Sequence, residues 1–190
     1  MTTGLLVVLG GSTIVGYVMY RRASKKDDKK KAEKEKKRAE RSIRNIRLKD
    51  IVTYTNQDFI VESICTFDQQ GWKWREYLLA DGNDQWWLEV EDDDELFVGL
   101  LKEVEDLKIE GNRPPDQLNH DGIRYKQVER GEATITYEGE RGKRRGGSCR
   151  YYDYDGEGDH YLSIEQFGES YEVYVGREID ESTVEILPGS

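Results

Sequence analysis

The chain of 190 residues carries 29 Lys+Arg against 39 Asp+Glu, a net charge of −10, and is long enough for one ordinary domain with an appendage. The total conceals three regions. Residues 1–20 hold no charged side chain, residues 21–49 hold 15 basic and 5 acidic ones, and residues 50–190 hold 14 basic and 34 acidic ones. This division excludes a compact single-domain enzyme of the usual build and a sequence-general DNA binder, and two distant Cys exclude a disulfide scaffold.

Gly4 to Tyr20 reads GLLVVLGGSTIVGYVMY. As a helix it rises roughly 25 Å, and with residues 1–3 it nears the thickness of a hydrocarbon core. Tyr17 and Tyr20 occupy the end where an aromatic belt belongs, and Arg21, Arg22, Lys25 and Lys26 follow at once. The positive-inside rule places that end in the cytoplasm. A cleaved secretory signal would carry its positive charge before the apolar core and a small-residue site after it. The expectation is therefore an uncleaved single-pass anchor over 1–20 in the inner membrane, N-terminus out and body in the cytoplasm. Ser12 and Gly16 form a small-xxx-small pair through which two anchors could meet as a homodimer.

Residues 21–45 lack Gly and Pro and are dominated by Ala, Glu, Lys and Arg, all good helix formers. Pairs such as Glu33–Lys37 and Glu40–Arg44 stand in the favourable i,i+4 order. No apolar stripe runs through the segment, so it reads as a solvated helical spacer. Its first basic residues, Arg21, Arg22, Lys25 and Lys26, suit anionic head groups, so the bilayer is the expected partner of residues 1–26.

From Ile46 the pattern changes to period two. Strands are predicted at 51–54, 59–64, 72–79, 86–91 and, after Asp92-Asp93-Asp94, within ELFVGLLKE at 95–103. Gly111-Asn112-Arg113-Pro114-Pro115-Asp116 is the clearest break and divides the body, 46–190, into halves 46–110 and 116–190. The second half yields strands at 123–127, 133–137, 149–154, 161–167, 171–176 and 184–187, with a basic loop RGKRRGG at 141–147. Short strands with frequent turns predict a mainly β fold, an antiparallel sandwich or partly open barrel of two similar halves. A shared aromatic-Leu-x-[Val/Ile]-Glu signature, Trp87–Glu91 and Tyr161–Glu165, hints at internal duplication.

Catalytic chemistry finds little footing. His120 and His160 are the two histidines, and no G-x-S-x-G, Cys/His or H-E-x-x-H pattern occurs. Cys65 and Cys149 fall in predicted strands and read as buried thiols, and no zinc site assembles from ligand spacing. Asp153, Asp155, Glu157 and Asp159 alternate as oxygen ligands do in a calcium loop, with Gly158 at its sixth place. The twelfth place is Ile164, however, with Glu165 one position late, and a solvated acidic turn accounts for the run. No cofactor is expected. The four tryptophans, Trp72, Trp74, Trp86 and Trp87, lie within sixteen positions. Core packing is the default role of such rings, and docking a protein partner is the functional alternative. Trp72 and Trp74 must share a face, whereas the adjacent Trp86 and Trp87 must face opposite ways. The acidic body repels nucleic acid and attracts basic protein surfaces or polyamines.

The body resembles the domain of unknown function family 4178. The likeness rests on the order of IRLKDIV (46–52), WREYLL (74–79), WWLEVE (86–91), GIRY (122–125), YDY (152–154), YLSIE (161–165) and YVGRE (174–178). It covers about residues 46–188 and implies an all-β bacterial domain without established catalytic residues, set in envelope-stress and polyamine-related gene neighbourhoods. Two functional expectations follow. The first is a membrane-tethered interaction or sensing module without catalytic activity, docking an unidentified protein. The second is a small-ligand domain holding a polyamine or calcium in its acidic loops.

Overall fold

Alternating apolar and polar residues, punctuated by residues that tolerate left-handed backbone, set the secondary structure of the body. A computed structural model describes residues 41–139 and 147–189. It contains β1 (Ile51–Tyr54), β2 (Gln57–Gln69), β3 (Trp72–Asp81), β4 (Asp84–Asp92), β5 (Leu96–Glu103), β6 (Gln117–His120), β7 (Ile123–Gly139), β8 (Gly147–Asp155), β9 (His160–Phe167), β10 (Ser170–Glu178) and β11 (Val184–Leu187). Two 3-10 turns, Ile43–Asn45 and Glu181–Thr183, complete the set. The tight turns use positive-φ pairs suited to hairpins: Thr55-Asn56 between β1 and β2, and Asp121-Gly122 between β6 and β7.

All pairings are antiparallel, in the order β11-β1-β2-β3-β4-β5-β10-β9-β8-β7-β6, and a further pairing of β2 with β7 closes the ring. The result is an eight-stranded closed barrel, β2 to β5 and β7 to β10, with β1, β11 and β6 as extra strands. The partly open barrel or sandwich expected from the sequence is thus corrected to a closed one. The chain runs the same course twice: a four-residue strand, a two-residue turn, a long strand and three further strands. Strands β2 and β7 each serve two neighbours along one edge. Residues 57–60 of β2 pair with β1 and residues 63–68 with β7, while residues 123–126 of β7 pair with β6 and residues 134–139 with β2. Each long strand carries a bulge near the hand-over, at Val61/Ser63 and at Gln127/Glu129. A bulge adds local twist, which lets a strand turn from one neighbour to the next. The stretches 123–127 and 133–137, separate in the sequence reading, are therefore one continuous β7.

Three apolar clusters follow from this geometry. The first draws on all eight barrel strands and fills the lumen: Cys65, Phe67, Trp74, Leu78, Trp87, Leu101, Ala133, Ile135, Cys149, Tyr151, Tyr161, Phe167 and Tyr174. An eight-stranded barrel has an interior just wide enough for such side chains. The second lies outside the first half, where Val52, Ile186, Ile43 and Ile46 cover Tyr77, Leu79, Leu88 and Leu100. The third lies outside the second half, where Leu107, Ile109 and Leu118 cover Tyr152, Tyr154, Leu162 and Ile164. Both halves share the lumenal core. The two ends of the body are fastened together by Asp50, 1% exposed, whose carboxylate accepts the Arg47 and Gly189 amides at 2.9 and 3.0 Å and meets Arg41 Nε at 2.7 Å.

The anchor over 1–20, the spacer as far as residue 40 and most of the basic loop lie outside the described residues, and so do Arg21, Arg22, Lys25 and Lys26. No helix among the described residues is long and apolar enough to cross a membrane.

Closure brings backbones close at both seams. Gly176 on β10 faces Leu101 on β5, and a Cβ there would overlap the Leu100 carbonyl oxygen and stand 2.7 Å from Leu101 Cα. At the other seam Gly139, with φ of 118°, faces Ser63, and a Cβ would overlap the Glu62 carbonyl oxygen. Gly176→Ala is expected to cost about 3 kcal/mol of stability, whereas Val128→Ala, at a 55% exposed position, changes it by less than about 0.5 kcal/mol. Urea unfolding of both variants checks this, and equal midpoints would mean the seam is not tight.

Candidate functional site

The lumen is aromatic and acidic together. Trp74 stacks on Phe67 at 4.9 Å and meets Tyr151 edge-on at 5.1 Å, Trp87 meets Tyr174 at 6.0 Å, and Phe97 meets Tyr161 at 5.0 Å. Strand parity places Glu76 on the face of Trp74, Glu89 and Glu91 on the face of Trp87, and Ser163 and Glu165 on the face of Tyr161. Glu76 and Glu89 are direct cross-strand partners, each 6% exposed, and Glu165 is 1% exposed. Asp153 on β8 joins them, opposite Glu129 on one side and Ser163 on the other. Gly131 leaves room for the Tyr151 ring, whose hydroxyl reaches Gln69 Oε1 at 2.5 Å and Glu129 Oε1 at 2.8 Å.

Crowding carboxylates in a space of low polarity disfavours their ionised form. Burial raises the Glu89 carboxyl well above its ordinary range, and the charges of Glu76, Asp153, Glu91 and Glu165 add to the effect. Burial pushes Asp153 up to about 7, against the downward pull of hydrogen bonds from the Ser163 and Tyr161 hydroxyls, with Glu129 and Glu76 raising it further. Glu91 is raised as well, by burial and then by Glu129 and Asp93. Burial and like charge therefore favour the neutral acids of Glu89, Asp153 and Glu91.

Of the tryptophans expected to dock a partner, Trp74 and Trp87 are each 7% exposed, and a partner would have to open the barrel to reach them. Trp72 packs edge-on against Trp74 at 6.4 Å on the same lumenal face. Trp86 points outward, half-buried, with Lys102 Nζ 4.2 Å from its ring centroid. The opposed directions of Trp86 and Trp87, and the shared face of Trp72 and Trp74, follow the parity read from the sequence. The four oxygen donors of the calcium-like run do not converge. Asp153 faces the lumen, Asp155 ends β8, Glu157 lies exposed in the turn, and Asp159 stands 3.7 Å from Arg177.

A cleft of about 290 Å³ opens on the outer wall, lined by residues of both halves. Trp86, Leu100 and Val175 line it from the barrel wall. Tyr54 contributes from β1, Ile123 and Tyr125 from β7, and His120 and Asp121 from the hairpin between β6 and β7. His160, Lys102 and Arg177 supply its other polar groups. Lys102 also holds Asp84 at 2.6 Å, which lowers the Asp84 carboxyl, the Lys102 hydrogen bond being the largest cause. Next to the cleft, Asp106, His120 and Asp121 each bring one donor atom within 4.8 Å of the others, the one such group among the described residues. Neither the lumenal carboxylates as a set nor Asp106 and Asp121 emerged from sequence reasoning. The parity of WKWREYLL and WWLEVE was a usable signal for the former.

A raised carboxyl pKa in the folded state means that the native protein binds protons the unfolded chain has released, so stability falls as pH rises toward the folded pKa. The full chain is expected to melt at a higher temperature at pH 6 than at pH 8. Glu89→Gln is expected to raise Tm at pH 8 by about 2–4 °C, the equivalent of about 1 kcal/mol in a chain of this size, and to flatten the pH dependence. Calorimetry across pH 5.5–8.5 reads both, and a Tm that rises with pH would mean the lumenal carboxylates are ionised and well paired.

The chain matches the family described as Domain of unknown function (DUF4178) over residues 47–181. It is similar to the uncharacterized protein Mb2628 of Mycobacterium bovis and to the uncharacterized proteins Rv2597 and MT2673 of Mycobacterium tuberculosis. Each is 35% identical over 104 residues, covering 54% of this chain and 49% of the relative. The chain thus spans about half the length of the curated relatives it matches. No solved structure matches it. The order of short aromatic motifs in the sequence and the match over the barrel agree: the chain belongs to the DUF4178 family.

Proposed function

We propose that this chain is a membrane-tethered sensing module without catalytic activity, whose barrel takes a small amphipathic ligand in the outer cleft. In this reading residues 1–20 anchor the chain in the inner membrane, Arg21, Arg22, Lys25 and Lys26 lie against anionic head groups, and the body stands on the cytoplasmic side. The observation that carries the ligand reading is the cleft itself: an apolar wall of Trp86, Leu100, Val175 and Ile123 with two cations, Lys102 and Arg177, along it. Pockets that combine a largely apolar lining with a few convergent polar groups are the usual form of small-molecule sites. The ligand that fits is a flat or short-chain apolar molecule with one anionic head group. Lys102 and Arg177, although paired with Asp84 and Asp159 and joined by Asp121 in the lining, suit an anion better than a polyamine. A polyamine draws support from the carboxylates of the lumen instead, where aromatic side chains occupy the space.

Anilinonaphthalenesulfonate, an apolar bicycle with one sulfonate, is the probe of choice. It is expected to bind the full chain saturably at one site, with Arg177→Ala and Lys102→Ala each weakening it five- to tenfold, or about 1–1.4 kcal/mol. Absence of saturable binding, or variants that bind as the parent does, would overturn the cleft reading. A thermal shift by spermidine that persists in high salt would favour the polyamine. Deleting residues 1–20 is expected to move the protein from the membrane to the soluble fraction on cell fractionation, and retention in the membrane would overturn the anchor.

A further inference from the structure

Two segments that are distant along the chain meet beside the cleft and present metal-ligating atoms to one another. His120 ends β6, and Asp121 begins the two-residue turn into β7. Asp106 belongs to the link between β5 and β6, which is docked on the barrel by the Val104 amide on the Val173 carbonyl at 2.9 Å. Leu107 and Ile109, packed into the third cluster, hold the same link in place. Their three donor atoms all lie within 4.8 Å of one another. The His120 side chain is only 10% exposed, and its Nε2 stands 3.7 Å from Asp121 Oδ2, too far for a hydrogen bond. A carboxylate oxygen from Asp106 and one from Asp121 thus stand within 4.8 Å of a ring nitrogen of this largely buried imidazole.

We propose that Asp106, His120 and Asp121 hold a divalent transition-metal ion of the zinc class. The donor set supports that class. Hard ions such as calcium and magnesium prefer all-oxygen cages, whereas an imidazole with carboxylates suits zinc and its first-row neighbours. Tetrahedral bonds of about 2.0–2.1 Å place donors roughly 3.3 Å apart, so the carboxylates must close in on the ion. Asp121, 84% exposed, and the exposed Asp106 are free to turn their side chains, while the buried imidazole supplies the fixed point. Three protein ligands leave a fourth position for water or for a ligand atom. His120 and Asp121 also line the cleft, so the ion stands at its wall. The metal ties the link to the β6–β7 hairpin and goes beyond the ligand reading, since its occupancy is measured with the cleft empty of any probe.

The test is titration of the untagged, chelator-treated full chain in detergent with Co²⁺, followed by visible absorption and displaced by Zn²⁺. One equivalent is expected, resistant to millimolar Ca²⁺ and Mg²⁺, with His120→Ala lowering affinity at least tenfold. Asp106→Asn and Asp121→Asn, both at exposed positions, are expected to weaken binding likewise and keep the test decisive where the histidine variant does not fold. Arg177→Ala, which tests the cleft ligand, leaves cobalt uptake unchanged, so failure of one proposal is distinguishable from failure of the other. No uptake, displacement by Ca²⁺, or uptake preserved in both Asp variants would overturn the proposal.

Discussion

Everything in the body depends on two seams where separate meanders must share a hydrogen-bond ladder, β5 with β10 and β2 with β7. Strand pairing requires backbones within about 5 Å, and Gly176 and Gly139 leave space there that a side chain would fill. Closing both seams removes the edges of the central sheet, which would otherwise be templates for aggregation. It also converts two four-stranded meanders, each with an apolar cluster on its outer face, into walls around one lumen.

Closure then decides the chemistry of the interior. An eight-stranded barrel must be filled by its own inward side chains, and here parity delivers carboxylates as well as rings. Glu76, Glu89, Glu165 and Asp153 are surrounded by Trp74, Trp87, Tyr151 and Tyr161 because each lies two or four positions along a strand from one of them. Hydroxyls of Ser163 and Tyr161 compensate Asp153 in part, and for Asp153 and Glu89 low polarity and like charge both favour the neutral acid. The interior is therefore linked to pH in a way that a purely apolar core would not be.

The outer wall carries the second consequence. Each half begins with a short hairpin strand, and each covers its own side of the barrel. Residues of both covers, Tyr54 from one and His120 and Ile123 from the other, line the cleft. It draws on β1, β4, β5, β7, β9, β10 and the β6–β7 turn, so no single stretch of sequence encodes it. The link between the halves, a plain composition break along the chain, packs through Leu107 and Ile109 and thereby brings Asp106 to His120.

The sequence alone determined the charge division of the chain, the all-β character of the body, most strand positions and the family resemblance, because turn residues and period-two patterns act locally. It also determined the relative facing of the four tryptophans, since parity within a strand needs no partner. The repeated Trp87–Glu91 and Tyr161–Glu165 signature already held a lumenal glutamate beside a core ring. Only the tertiary structure decided that these strands form one closed ring, that Trp74 and Trp87 turn inward, and that Asp153 faces glutamates from other strands and not its neighbours in a calcium-like loop. Those outcomes rest on which strand pairs with which across more than seventy residues, as Ser63 does with Gly139. Long-range pairing of this kind leaves only a weak local trace, because its free energy appears when the ring closes.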